Sequence, residues 1–205
     1  MRKFTIIGYS GHAYVICDAI RSTGDFIENY IDLNEKTINP FGLKYIGSED
    51  VFKKKKLTNE YIVAIGNNRN RSIASKRLFD LTDKHPSIVK HSHSFVSPSA
   101  SLGQGTFIAS GVSINALAKI GDGSICNTAC VIEHECQIGE YSHIAPGAVL
   151  AGFAEIGSFC FIGANSVIKQ GVKIGNNVTV GAGAVIIRDI PSGQTVVGNP
   201  SRRIK

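Results

Sequence analysis

Among the ionisable side chains of this 205-residue chain, the set best suited to moving a proton is His134, flanked by the carboxylates of Glu133 and Glu135. A neutral imidazole with a pKa near ~6.5 accepts a proton at neutral pH, so His134 is a candidate general base for an amine or hydroxyl nucleophile. Such a step also needs N–H donors for a developing oxyanion and a groove that places the second reactant. Other chemistry is poorly supported. His91 and His93 have a spacing that could bind a metal, but no third ligand stands nearby, and a solvated linker fits them better. His85 has no evident role. The five cysteines (Cys17, Cys126, Cys130, Cys136, Cys160) form no CxxC pair and are odd in number, which indicates neither a zinc site nor a disulfide framework.

A six-residue period dictates what positions His134. Stepping by six from Val96 to Ile186 gives sixteen residues, fifteen of them aliphatic, with Cys126 the exception. The next residue is usually small (Gly103, Gly121, Gly139, Gly157, Gly175), and the fourth after the aliphatic is small or β-branched (Thr106, Ala118, Ser142, Val178). A sheet shows a period of two and a helix 3.6, so neither explains six. The unit reads as one short strand plus a corner, with the aliphatic side chain inside a narrow prism and the small residue expected to permit the tight turn. Three units close a triangular coil, so residues eighteen apart stack. His134 then falls at a corner, and Gly152, eighteen residues on, stacks beside it with a backbone N–H available to an oxyanion. A purely steric glycine at a turn is the competing reading. Cys130, Cys136 and Cys160 share one interior phase and read as small filler.

Ahead of the repeat the pattern alternates. Strands are expected at Phe4–Ile7, Ile27–Asp32 and Tyr61–Ile65, and helices at His12–Ser22, Ser48–Lys55 and Arg69–Leu81. That is half of a doubly wound α/β fold. Ser10 and Gly11 form the first strand-to-helix turn, where free N–H groups and the helix dipole favour a phosphate, and His12 follows within reach of a substrate. Asp32 and Gly66 close the second and third strands, the usual ligand edge of such sheets. Gly11 as a plain turn and Asp32 as a cap are the alternatives. The expected division is 1–90 for this unit, 91–190 for the coil, with a junction over Lys84–Ser94, and 191–205 for a tail.

Residues 1–90 carry 15 Lys/Arg against 10 Asp/Glu, and residues 91–205 carry 7 against 6. The excess suits a phosphorylated small molecule. The run Lys53–Lys56 reads as a solvated helix end, and with no nucleic-acid module beside it no nucleic-acid partner is expected. No apolar run reaches the ~18–20 residues of a membrane span, and Phe4–Gly8 is too short for a signal-peptide core, so a cytoplasmic location is expected.

The hexapeptide array, the stretch Asn127–Gly152 (NTACVIEHECQIGEYSHIAPGAVLAG), the tail Val196–Lys205 (VVGNPSRRIK) and the turn Gly8–His12 resemble a group of bacterial sugar acetyltransferases. The group includes the UDP-4-amino-4,6-dideoxy-sugar N-acetyltransferases and the sialic acid O-acetyltransferases. The resemblance implies a small Rossmann-like α/β N-terminal domain followed by a left-handed parallel β-helix, acting as a homotrimer with acetyl-CoA as co-substrate and no metal. It implies that Glu135 orients the His134 imidazole, that His143 and the backbone at Ala164 and Ala182 bind acetyl-CoA, and that Asn127 bonds the sugar. Ala164 and Ala182 are eighteen apart and fall one corner away from His134, so packing between subunits is expected to join base and thioester. The implied reaction is N-acetylation of an amino group on a nucleotide-linked deoxyamino sugar. O-acetylation of a sialic acid is the first alternative, and a non-catalytic binding protein or a metal-dependent β-helix enzyme the second.

Overall fold

The structure, a computed structural model, describes residues 1–53 and 56–204. Its first unit is a parallel sheet of β1 (Lys3–Ile7), β2 (Phe26–Ile31), β3 (Lys44–Tyr45) and β4 (Glu60–Val63), in the order β3-β2-β1-β4. Helix α1 (Gly11–Ser22) packs Ala13, Ile16, Cys17 and Ile20 beside Phe4 and Ile6 in one apolar cluster. Helix α2 (Asn68–Thr82) and a 3-10 turn at Glu49–Lys53 bring Ala74, Leu78 and Phe52 together with Ile7, Ile31 and Val63 in another. The expected parallel α/β unit is therefore present, with β3 added. The helix expected over Ser48–Lys55 shortens to the 3-10 turn, and Lys54 and Lys55 of the basic run lie outside the described residues. Among the described residues no helix is long and apolar enough to cross a membrane.

The coil follows as two-residue rungs in three parallel faces. Face I runs from Val89–Lys90 through Phe107–Ile108, Ile125–Cys126, His143–Ile144, Phe161–Ile162 and Thr179–Val180 to Thr195–Val197. Face II runs from Phe95–Val96 to Val185–Ile186, and face III from Ser101–Leu102 to Lys173–Ile174. The expected junction Lys84–Ser94 thus already supplies the first rung, and the tail supplies another before Arg202–Arg203 closes it antiparallel. Neighbouring rungs stand eighteen residues apart, as in Val131↔Val149. All five cysteines are buried and free, four as filler in this prism and Cys17 on α1.

The small residue after the aliphatic serves a different purpose from the one expected. The residue with left-handed backbone lies two positions later, at Gly105, Gly111, Leu117, Gly123, Ala129, Glu135, Tyr141, Gly147, Phe153, Phe159, Asn165, Gly171, Asn177 and Gly183. Over half of these are not glycine, although αL costs an L residue roughly 1–2 kcal/mol, so coil closure overrides local preference. The glycines one after the aliphatic on face III are needed because successive coils touch there. A Cβ on Gly139 would stand 2.5 Å from Ser158 N, and one on Gly121 2.6 Å from Glu140 N.

One side chain fastens the two units. Arg71, on α2, is 1% exposed. Its Nε donates to Gly123 O at 2.6 Å, Nη1 to Ile65 O and Gly66 O at 3.0 Å each, and Nη2 to Asn68 Oδ1 at 2.8 Å and Tyr141 O at 3.1 Å. All five N–H donors of the guanidinium are used, on neutral acceptors drawn from both units. Asn68 Nδ2 donates to Cys160 O at 2.9 Å alongside. Replacing Arg71 by Met leaves several enclosed carbonyls unpaired, at a cost of about 3 kcal/mol or more. We expect a Tm roughly 6–12 °C lower by calorimetry, with Arg71→Lys between the two because an ammonium cannot span the fork. An unchanged Tm would deny Arg71 this fastening role.

Candidate functional site

His134 stands at the corner between faces II and III, where the strand Val131–Ile132 hands over to Gln137–Ile138. The side chain is 48% exposed, so the imidazole lies outside the prism. Nδ1 faces Glu135 Oε2 at 3.3 Å, and Phe153 meets the ring edge-on at 5.2 Å. Among the described residues no hydrogen bond or ion pair joins Glu133 to the ring. Gly152 lies directly beneath: a Cβ there would come within 2.5 Å of His134 Cε1 and 2.6 Å of Nε2. Its φ is not left-handed, so the glycine is required by the ring seated on it and not by the turn. Among the described residues its N–H donates no hydrogen bond.

A second group gathers where the N-terminal unit rests on face I. His143 projects from that face, and Asn127 Nδ2 approaches its Nε2 at 3.1 Å. His12 turns away from the α1 terminus toward Phe107, edge-on at 5.6 Å, with the His143 ring 6.2 Å away. Its Nε2 is buried and has no hydrogen-bond partner among the described residues. Burial pushes both imidazoles down to about 4, and the Arg71 guanidinium adds to it, so both are neutral at pH 7.

Ser10, Asp32 and Gly66 line a third place, a cavity of about 510 Å³ at the C-terminal edge of the first sheet. Ser10 begins α1, but its hydroxyl caps nothing. The positive φ of this turn belongs to Gly8 (+83°); at Gly11 a Cβ would meet nothing within 4 Å, so the turn does not demand that glycine. The Asp32 carboxylate accepts from Tyr9 N at 2.9 Å and Leu33 N at 2.7 Å and pairs with Lys36 at 2.9 Å, which is the capping role weighed above. It still lines the cavity.

Ala164 and Ala182 stack at the corner between faces I and II, where Gly183 N donates to Ala164 O at 2.8 Å. Asn127 shares that corner, and His134 stands one corner on, as the count by eighteens requires. The outward row of face II between these corners is Phe95, Ser113, Val131, Val149, Val167 and Val185, with Phe95 56% and Val167 39% exposed. Face III is polar by contrast (Lys119, Gln137, Glu155, Lys173). A single chain therefore holds its candidate residues in four groups, two of them flanking an uncovered apolar face. Sequence reasoning missed Arg71. Its helical phase with Ala74, Ser75 and Leu78, all buried, was the available signal. Among the described residues no group of three or more His, Cys, Asp or Glu is placed to hold a metal ion.

Residues 3–78 match the PglD N-terminal domain and residues 153–188 the bacterial transferase hexapeptide, six repeats. The acetyltransferase domain of PglB from Neisseria gonorrhoeae is 34% identical over 100% of both chains, with a TM-score of 0.93, and it has also been solved with acetyl coenzyme A. The chain belongs to the hexapeptide-repeat sugar acetyltransferases. PerB from Caulobacter crescentus, solved with CoA and GDP-perosamine, is 31% identical over 99% of this chain and 97% of its own, with a TM-score of 0.91. WeeI from Acinetobacter baumannii is 25% identical over 100% of both, with a TM-score of 0.88. A comparison with curated protein sequences gives no match.

Two outcomes follow for this acetyltransferase. Gly152→Ala drives the His134 ring from its seat; turnover is expected to fall about 100-fold, with circular dichroism unchanged. The second is pH-dependent stability. His12 and His143 titrate near 4 when folded and near ~6.5 when unfolded, so below ~6.5 the unfolded chain binds more protons. Their stabilisation is complete above that pH and is lost as pH falls toward 4. Thermal melts between pH 7.5 and 4.5 should show a shallower acid decline in a His12→Gln/His143→Gln double variant.

Proposed function

We propose that the protein transfers the acetyl group of acetyl-CoA to the amino group of a nucleotide-linked deoxyamino sugar, at sites formed between two subunits of a homotrimer. The observation that carries the reading is the His134–Glu135–Gly152 corner, in which an exposed imidazole has a carboxylate at Nδ1 and a seat that holds its Nε2 edge in place. The bound ligands of PglB and PerB support the donor and the class of acceptor.

In this mechanism Glu135 holds the proton of His134 on Nδ1, leaving the Nε2 lone pair for the substrate amine. As the amine nitrogen bonds to the thioester carbonyl carbon, His134 takes its proton. Glu135 stabilises the resulting imidazolium, and the uncommitted N–H of Gly152 offers a donor to the oxyanion. When the C–S bond breaks, the imidazolium returns the proton to the leaving thiolate. Asn127 and His12 would bond the sugar end, with His143 and the backbone at Ala164 and Ala182 along the coenzyme and the Ser10–Asp32–Gly66 cavity around the nucleotide. Face II is the apolar surface that a second subunit would cover, bringing its own corner against this one.

His134→Asn should lower kcat by about 10²–10⁴-fold with the melting curve retained, followed as free thiol released from acetyl-CoA. Equal release from sialic acid and from 4-amino sugar nucleotides would move the assignment to O-acetylation. Mixing inactive His134→Asn subunits with Ala182→Trp subunits, whose coenzyme corner is blocked, should recover activity in hybrid trimers. No recovery would mean that one subunit supplies both parts.

A further inference from the structure

The His134 corner carries an aromatic ring that neither the coil nor the reaction above accounts for. Phe153 follows Gly152 and takes the left-handed backbone of the turn, at a φ of +59°. One coil on, Gly171 meets the same requirement with nothing within 4 Å of a Cβ. The corner between faces I and II meets it with Gly111, Ala129, Gly147, Asn165 and Gly183. A phenylalanine in this conformation is strained, and Phe153 is 46% exposed and belongs to neither apolar cluster. Tyr141 and Phe159, which hold such positions at the third corner, stack on each other at 5.6 Å. Phe153 meets His134 instead. Its N–H donates to the His134 carbonyl at 3.0 Å, and its ring stands at 88° to the imidazole with centroids 5.2 Å apart. Aromatic pairs favour that arrangement.

The imidazole has need of a wall. Its contact with Glu135, at 3.3 Å, lies beyond the ~2.7–3.2 Å of an ordinary N–H···O bond, and the side chain is 48% exposed. Gly152 supplies a floor under the ring but, having no side chain, nothing beside it. We infer that Phe153 is a positioning residue, holding the His134 ring with Nδ1 toward Glu135 and Nε2 over Gly152, and that its strained backbone persists for that contact. The inference rests on the assignment of His134 as the base.

Phe153→Asn is the probe, because Asn165 and Asn177 already occupy this turn position elsewhere in the coil. The full-length protein is assayed with acetyl-CoA and the 4-amino sugar nucleotide that gives the wild type its fastest thiol release. For Phe153→Asn, kcat should fall about 5–10-fold while KM for acetyl-CoA stays within about twofold. Phe153→Tyr keeps the ring and should keep kcat within about twofold. The Tm of Phe153→Asn should be equal to that of the wild type or up to roughly 4 °C higher, from the relieved backbone. In a His134→Asn background the same change should cost nothing further, because the ring acts only through the imidazole. Long-range proton–nitrogen NMR should show one His134 tautomer, protonated on Nδ1, in the wild type and Phe153→Tyr, and an average of two in Phe153→Asn. An unchanged kcat, an additive loss in the double variant, or a single tautomer in Phe153→Asn overturns the positioning role. So does a variant that sediments as a different oligomer, which makes Phe153 an interface residue. Full turnover by His134→Asn itself sinks the base assignment instead, and any catalytic use of Phe153 with it.

Discussion

The Arg71 guanidinium holds the molecule to one geometry. It reaches the carbonyls of Ile65 and Gly66 at the end of the third long strand and those of Gly123 and Tyr141, stacked at one corner on two successive coils. A cation buried without a carboxylate among its acceptors persists only because each N–H has a well-placed partner. The arrangement therefore tolerates little sliding: a shift of one rung would strand several donors at once. The depth of His12 and His143 follows from that fixed contact, because both rings are enclosed where Arg71 draws the two units together.

The coil adds a constraint of its own. Every eighteenth residue is stacked, so a side chain at any corner must be compatible with what lies one coil away. On face III this makes glycine obligatory after the aliphatic, since a Cβ would enter the backbone of the next coil. At the His134 corner the same stacking leaves room at Gly152 that an imidazole occupies. The proposed function and the packing therefore make the same demand on that residue, and the N–H left unused beside the ring is a consequence of the coil and not an addition to it.

The repeat was legible because its period is imposed by geometry at every turn, with fifteen of sixteen positions aliphatic. Placing His134 and Gly152 on one corner, and Ala164 and Ala182 on another, needed only counting. What counting missed was the reason for the small residues. The strained backbone sits at Leu117, Glu135, Tyr141 and Phe153, residue types that carry no mark of left-handed conformation. The contact between units was also invisible, since an arginine among Asn68, Arg69 and Asn70 reads as solvated surface until its helical phase with Ala74 and Leu78 is noticed. His143, which the resemblance gives to the coenzyme, projects from face I beside His12 and is bonded to Asn127, which stands on the Ala164 corner.

That placement limits what the buried histidines can contribute. A cationic imidazole could balance a phosphate, but rings held to about 4 by desolvation and by the nearby guanidinium carry no charge at neutral pH. They can serve a ligand only as hydrogen-bond partners, and Nε2 of His12, buried and unpartnered, has that capacity to spare. The phosphates of the proposed acceptor would then be met elsewhere. The start of α1, with Ser10 uncommitted and no acidic side chain in its first turn, is the neighbouring feature with N–H groups aligned for an anion. The proton transfer proposed for His134 has the complementary setting: its ring stands in the open, with the Glu135 carboxylate 3.3 Å from Nδ1.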